Sequence, residues 1–130
     1  NLYTIHGASR FPGLSIWLRD GSKVPVRVPK GCLLLQAGKQ LEWITGGVIT
    51  AGFHEVVVNE DTLKACETAK ELGRPLWRVS STLFSHIASD QVLKPLKEEW
   101  NTPDAQIKYP AIKCGHQVQN ELKSINLAMK

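Results

Sequence analysis

The N-terminal half of the chain alternates short apolar runs with glycine and proline. The run LSIWL (14–18) is followed by Asp20-Gly21, a strong hairpin signal. The next run, KVPVRVP (23–29), alternates valine with other residues, and its prolines remove backbone hydrogen-bond donors. This combination predicts two paired strands, the second of which lies at the edge of a sheet or beside a bulge.

Further apolar runs follow at similar spacing. CLLLQAG (32–38) is an unbroken run, typical of a strand buried on both faces. LEWIT (41–45), a turn at Gly46-Gly47, VITAG (48–52) and HEVVV (54–58) continue the series. Short strands at this spacing predict an antiparallel sandwich or barrel.

Over residues 60–73 the spacing of apolar residues changes to that of a helix. Leu63, Cys66, Ala69 and Leu72 fall on one helical face. Asn59 or Asp61 can cap the start of this helix, and Gly73 can end it. LWRVSSTLF (76–84) then returns to a strand pattern, and the segment 98–110 predicts a surface loop. A last amphipathic helix has Val118, Leu122 and Ile125 on one side.

Composition narrows the class of protein. The chain has 130 residues, 42% hydrophobic and 22% charged, which predicts a single globular domain. No apolar run reaches the ~18 residues of a membrane span, and the first residues do not match a signal peptide. The chain also lacks an initiator methionine, which leaves open that it begins within a longer protein.

Cysteine spacing and charge argue against three further classes of protein. Cys32, Cys66 and Cys114 form no CxxC pair, so we expect reduced thiols in a cytoplasmic protein rather than a zinc ribbon or a disulfide framework. The net charge is +4, but the lysines and arginines are scattered. A nucleic-acid footprint would require a basic patch, so we expect no nucleic-acid partner; a steep fall of affinity with salt would argue otherwise.

Arg78 and Ser80 form the first candidate site. They are two residues apart, so on the predicted strand both side chains project from one face, while Trp77 and Val79 project from the opposite face, where they can pack. A guanidinium beside a hydroxyl suits a carboxylate, because it offers two parallel donors and a third. Taken alone, such a pair more often includes a solvated arginine.

His54 stands at the start of the neighbouring predicted strand. A lone histidine in a half-apolar segment is more often a structural residue than a metal ligand. Glu55 faces the opposite side of the strand and cannot assist it. The remaining histidines, His6, His86 and His116, lie at no metal-ligand spacing and are interpreted as structural.

A longer series of motifs changes the interpretation of His54. The series runs, in order, Pro12-Gly13-Leu14, Asp20-Gly21, Gly31, Leu33, Gly38, Leu41, Thr45, Gly47, His54, Arg78 and Ser80. Over residues 2–96 this order resembles the C-terminal half of the iron(II)/2-oxoglutarate-dependent dioxygenase domain, most closely its isopenicillin N synthase-like branch.

The resemblance implies a mainly β fold, a partial double-stranded β-helix (jelly roll) over residues 1–96 with the helix inserted, followed by a loop and C-terminal helix over 97–130. In that family iron(II) is held by two histidines and a carboxylate, with open positions for 2-oxoglutarate and oxygen. By resemblance His54 is the distal histidine ligand of the metal, and Arg78 and Ser80 bind the far carboxylate of 2-oxoglutarate.

The chain departs from the family pattern in three places. The arginine usually follows the histidine closely, whereas here the predicted helix separates them, an insertion that loops tolerate. Glu55 stands where arginine is common. The H-x-D motif that supplies the other two iron ligands does not occur in the chain, and aligning Thr4 would put its aspartate shortly upstream of Asn1.

The resemblance implies a fragment of a dioxygenase that hydroxylates or desaturates a small organic substrate, with no nucleic-acid or membrane partner. The fragment would lack upstream strands, so the missing N-terminal part of the same protein is a candidate partner. We expect weak iron binding and no turnover from this chain alone. The alternative is a non-catalytic jelly-roll module of the same descent.

Overall fold

The computed structural model describes residues 1–127. The last three residues of the predicted C-terminal segment 97–130 lie outside this range. The strands are β1 (Tyr3–His6), β2 (Leu14–Trp17), β3 (Lys23–Pro25), β4 (Leu34–Ala37), β5 (Phe53–Val56), β6 (Thr82–Ser85), β7 (Val92–Leu93) and β8 (Ile112–Lys113). The helices are α1 (Lys39–Ile44), α2 (Glu60–Glu71), α3 (Pro103–Lys108) and α4 (Cys114–Ser124), with a 3-10 turn at Glu98–Trp100.

The chain divides into two units. The first comprises Asn1–Thr4, Gln36–Ala51 and the described residues from Phe84 onward, and the second comprises Ile5–Leu35 and Gly52–Leu83. Strands in the order β4-β1-β6 form a three-stranded sheet.

The second unit is built on the antiparallel sheet β3-β2-β5. The hairpin between β2 and β3 turns where the sequence predicts, and Gly21 has φ +82°. Asp20 Oδ1 accepts hydrogen bonds from the Ser22 backbone N–H (2.8 Å) and hydroxyl (2.6 Å). β3 lies at the edge of the sheet, as predicted. Pro25 has no N–H to donate, and an edge strand tolerates this because its outer side makes no ladder hydrogen bonds.

α2 begins at a complete capping box. The Asn59 side chain accepts from the Thr62 N–H at 2.9 Å, and the Thr62 hydroxyl accepts from the Asn59 N–H at 3.1 Å. The Thr62 hydroxyl also donates to the Pro12 carbonyl at 3.0 Å, which ties the helix to the loop before β2. Gly73 follows the helix with φ +61°, so the predicted start and stop signals are both confirmed.

The core of the first unit contains buried polar side chains. Gln40 Nε2 lies 2.9 Å from Cys114 Sγ, and Gln40 Oε1 accepts from the Ile87 N–H at 3.0 Å. Gln40, Cys114 and Leu93 are almost wholly buried. These contacts satisfy the amide of Gln40, which would otherwise destabilise the core.

Glu42 is the second buried polar centre of this unit. Its carboxylate accepts from the Ala51 N–H at 2.8 Å, from the Tyr109 hydroxyl at 3.0 Å and from Lys39 Nζ at 3.2 Å. Burial opposes ionisation, but the hydrogen bonds outweigh it and the pKa of Glu42 lies below its usual value. The ionised carboxylate therefore stabilises the folded state.

The predicted fold class is confirmed: antiparallel sheets with an inserted helix, α2, and a C-terminal helix, α4. Within residues 1–127 the strands do not close into a barrel. None of the helices in the described part of the chain is long and apolar enough to cross a membrane.

Several local predictions are wrong. LEWIT (41–45) was predicted as a strand but lies mostly in α1, because a short apolar run does not distinguish the two structures. VITAG (48–52) is not a strand, and α3 lies in the predicted loop 98–110. The predicted C-terminal helix, by contrast, is confirmed as α4. Its buried residues are Cys114 and Gln117, and Leu122 and the following C-cap residue Ile125 are exposed.

Candidate functional site

A cavity of about 520 Å³ lies within the second unit. Its walls combine valines and a leucine with charged and hydroxyl side chains, on β2, β5 and the loops beside them. The lining residues are His6, Gly7, Ser9, Arg10, Phe11, Pro12, Leu14, Val26, Arg27, Val28, His54, Val56, Asp61, Arg78, Ser80, Ser81 and Thr82. All three predicted site residues, His54, Arg78 and Ser80, are among them.

β5 positions His54. In the antiparallel ladder Ile16 pairs with His54 and Leu14 with Val56. Because side chains alternate along a strand, His54 and Val56 project from the same face as Leu14, which is the face that lines the cavity. Glu55 projects the other way and forms an ion pair with Lys23. The prediction that Glu55 does not share the histidine's surroundings is confirmed.

His6, which the sequence interpretation treated as structural, is a neighbour of His54. The two imidazole rings meet edge to face, with centroids 6.3 Å apart. His6 Nδ1 lies 3.1 Å from the Thr82 hydroxyl, and His6 Nε2 is buried without a hydrogen-bond partner among the described residues. Burial lowers the pKa of His6, and the nearby His54 and Arg78 lower it further. No spacing rule could have found this pair, since β1 and β5 meet only in the fold.

Arg78 and Ser80 reach the cavity by a different route from the predicted one. The strand predicted over 76–84 is wrong in its first part, since only Thr82–Ser85 is β6 and residues 75–81 are irregular. Trp77 and Val79 are 79% and 80% exposed, rather than in contact with the core. Both Arg78 and Ser80 nevertheless line the same cavity, so a guanidinium and a hydroxyl are available to one ligand.

The cavity is cationic. Arg10, Arg27 and Arg78 line it, and Asp61 is the one acidic side chain among the described residues of its wall. Arg27 Nη2 donates to Asp61 Oδ2 at 2.9 Å, which neutralises that pair. The remaining charge favours an anionic ligand.

The residues present do not form a complete iron site. Within residues 1–127 no three His, Cys, Asp or Glu side chains are grouped closely enough to hold a metal ion. A facial triad requires two histidines and a carboxylate, and His54 is one candidate ligand. The described residues could therefore supply, at most, part of the metal coordination of such a centre.

No protein-family model and no curated protein gives a significant match to the chain. Solved structures do. A candidate 2OG-Fe(II) oxygenase family protein from Caulobacter crescentus is 28% identical to this chain, with a TM-score of 0.72. The match covers 96% of this chain and 38% of the Caulobacter protein. A candidate oxygenase from Shewanella oneidensis is 20% identical with a TM-score of 0.66, covering 98% and 38%.

A full-length protein from Neurospora crassa, solved in complex with alpha-KG, is 17% identical with a TM-score of 0.67, covering 93% of this chain and 34% of its own. A further structure of the Neurospora protein contains alpha-KG and thymine. The chain thus spans between a third and two fifths of the length of these proteins. Along nearly its whole length, the chain is similar in structure to proteins of the 2OG-Fe(II) oxygenase family.

Proposed function

We propose that the chain is the C-terminal part of a non-haem iron(II)/2-oxoglutarate-dependent dioxygenase domain that hydroxylates or desaturates a small organic substrate. In this proposal His54 is one iron ligand, and Arg78 and Ser80 bind the far carboxylate of 2-oxoglutarate. The observation that carries the proposal is that His54 lines the same cavity as Arg78 and Ser80, although the helix α2 separates it from them in sequence.

Arg78 and Ser80 would act by binding and orientation. The guanidinium presents parallel N–H donors to both oxygens of a carboxylate, and the Ser80 hydroxyl adds a donor to one of them. In this proposal the other end of the dicarboxylate lies near His54, which lines the same cavity. Contacts that hold a ligand far from its reacting end lower the activation free energy, because the bound ligand has already lost its translational and rotational freedom.

The structural neighbours support the choice of ligand. Structures of the Neurospora protein contain alpha-KG, alone and together with thymine or 5-formyluracil. By analogy we assign this cavity to 2-oxoglutarate and a small-molecule substrate. Within the family we assign the chain to the isopenicillin N synthase-like branch on its motif order. If it resembles isopenicillin N synthase itself, the same arginine and serine would hold the carboxylate of a peptide substrate without 2-oxoglutarate.

A second candidate function is a non-catalytic jelly-roll module of the same descent. It is favoured by one observation: the described residues offer no three-ligand metal group. Translating the coding region just upstream of Asn1 separates the two candidates. An in-frame H-x-D there supports a divided oxygenase, and its absence supports the module.

The binding role is tested by titrating 2-oxoglutarate into the chain and following it by calorimetry and NMR. Arg78→Gln removes a charge-assisted pair, so we expect affinity to fall by about tenfold or more. Ser80→Ala should produce a smaller loss. Arg74→Gln is the matched control, since Arg74 is exposed in the same segment but does not line the cavity.

If Arg78→Gln and Arg74→Gln bind 2-oxoglutarate equally well, the assignment of Arg78 fails. For the chain alone we expect weak iron(II) binding and no turnover of 2-oxoglutarate. Measured turnover by the isolated chain would contradict the view that its metal site is incomplete.

A further inference from the structure

We infer that the cavity takes a second organic molecule, an amphipathic monocarboxylate, whose anionic group pairs with Arg10. This inference rests on the proposed function, because it assigns Arg78 to 2-oxoglutarate and asks what the rest of the cavity binds. It names the substrate class of that same site.

The cavity has room for two molecules. Its volume of about 520 Å³ falls among the pockets that hold drug-sized ligands, which measure about 300–1,000 Å³. A five-carbon dicarboxylate anchored at Arg78 and Ser80 is far smaller than a drug-sized ligand. Space therefore remains beside that ligand in a cavity whose wall also includes the Ser9–Pro12 loop and Leu14 of β2.

The charges of the wall select the sign of the second ligand. Arg27 is paired with Asp61 at 2.9 Å, and Arg78 is assigned to 2-oxoglutarate. This leaves Arg10 as the lining arginine whose charge faces no carboxylate among the described residues. A carboxylate can form a charge-assisted pair with this exposed guanidinium, whereas a neutral or cationic substrate cannot.

Arg10 is held where it can act as an anchor. Phe11, the next residue, is 6% exposed, and its N–H donates to Ser9 Oγ at 3.3 Å, which fixes the turn. The Arg10 guanidinium carbon lies 5.8 Å from the centre of the Phe11 ring, and Nη2 lies 3.5 Å from the Pro75 carbonyl. These neutral partners orient the guanidinium but leave its charge and most of its donors for a ligand.

The apolar part of the wall selects the body of the ligand. Leu14, Val26, Val28 and Val56 line the cavity together with Phe11. A carbon chain attached to the carboxylate can bury apolar area against these side chains, and such burial stabilises binding in proportion to the area. A purely polar anion would gain nothing from this surface.

The test uses hexanoate and its uncharged analogue hexanamide as probes, titrated into the full chain in the presence of saturating 2-oxoglutarate and observed by NMR. We expect hexanoate to bind more tightly than hexanamide, and Arg10→Gln to weaken hexanoate by about tenfold while leaving hexanamide unchanged. Arg10→Lys keeps the charge and should retain part of the affinity. Arg74→Gln again serves as the control.

Equal binding of hexanoate and hexanamide, or an Arg10→Gln protein that binds hexanoate as the wild type does, overturns the inference. So does hexanoate that displaces 2-oxoglutarate and depends on Arg78 instead. The proposed function is tested separately by titrating 2-oxoglutarate without hexanoate. If Arg78→Gln then binds 2-oxoglutarate as tightly as the wild type, the proposed function fails. The NMR spectrum of each variant verifies that it is folded, and Arg10→Lys provides a second measurement if Arg10→Gln unfolds.

Discussion

The imidazole rings of His6 and His54 lie edge to face, 6.3 Å between centroids, and His6 is itself held by the Thr82 hydroxyl at 3.1 Å. The Thr82 hydroxyl thus contacts the imidazole ring that packs against His54. Just after β1 and just before β6, the Gly7 N–H donates to the Ser81 carbonyl at 3.5 Å, so these two ends lie side by side.

Replacing Thr82 should loosen this arrangement. Thr82→Val keeps the shape of the side chain but removes the hydroxyl, so His6 Nδ1 loses its partner. We expect the free energy of unfolding to fall by about 1 kcal/mol. Denaturant titration measures it, and Thr68→Val on the exposed face of α2 is the control for the threonine-to-valine change. Histidine ring signals of His54 should also shift in Thr82→Val, and unchanged signals would argue against the support through His6.

Gly13 is required by a close backbone approach. A Cβ there would lie 2.3 Å from the Val57 carbonyl oxygen, and Gly13 has φ +133°. Gly13→Ala should therefore destabilise the protein by about 2 kcal/mol or more, since both strain and a clash must be relieved. Gly7→Ala, with open space around the new methyl group, is the matched control. Equal unfolding midpoints for the two variants would contradict the close contact.

Glu42 predicts how stability depends on pH. Its folded pKa lies below the usual 4.5, so its contribution is fully present above pH 4.5 and is lost as the pH falls through the folded pKa. Thermal unfolding measured from neutral to acid pH should show this loss in the wild type. In Glu42→Gln the acid part of the profile should be flatter. A variant that loses stability in acid as steeply as the wild type would rule out Glu42 as the source.

The three cysteines should differ in reactivity. All are free thiols: Cys32 is exposed, Cys66 is half-buried and Cys114 is buried. Burial also raises the pKa of Cys114, which reduces its thiolate fraction. Iodoacetamide labelling followed by mass spectrometry should therefore modify Cys32 first and Cys114 last. Addition of denaturant should abolish the difference, and early labelling of Cys114 in native protein would contradict its burial.

Local signals predicted α2 and the β2–β3 hairpin correctly, because their start and stop residues act within a few positions. Asn59, Gly73 and Gly21 each determine backbone geometry by their own chemistry. α1 was missed because the short apolar run LEWIT is compatible with both a strand and a helix. Contacts with residues distant in sequence decide which of the two forms. Leu96 N donates to the Ile44 carbonyl, for example, at 2.9 Å.

The site was predictable in part. The motif order led to His54, Arg78 and Ser80, although the strand expected to carry the last two is irregular. His6 and Arg10 could not be found in this way, because each gains its place from the fold. His6 contacts His54 only when the fold brings β1 near β5. Arg10 lies beside the cavity because the next residue, Phe11, is buried.

The inserted helix α2 has a wider consequence. The helix begins at the capping box of Asn59 and is followed by Gly73 with positive φ. After the helix the chain brings Arg78 to the same cavity as His54. If His54 and Arg78 have the proposed roles, the number of residues between the metal-binding histidine and the carboxylate-binding arginine is free to vary in this architecture. Sequence patterns that require a fixed interval between the two would pass over proteins that carry such a helix.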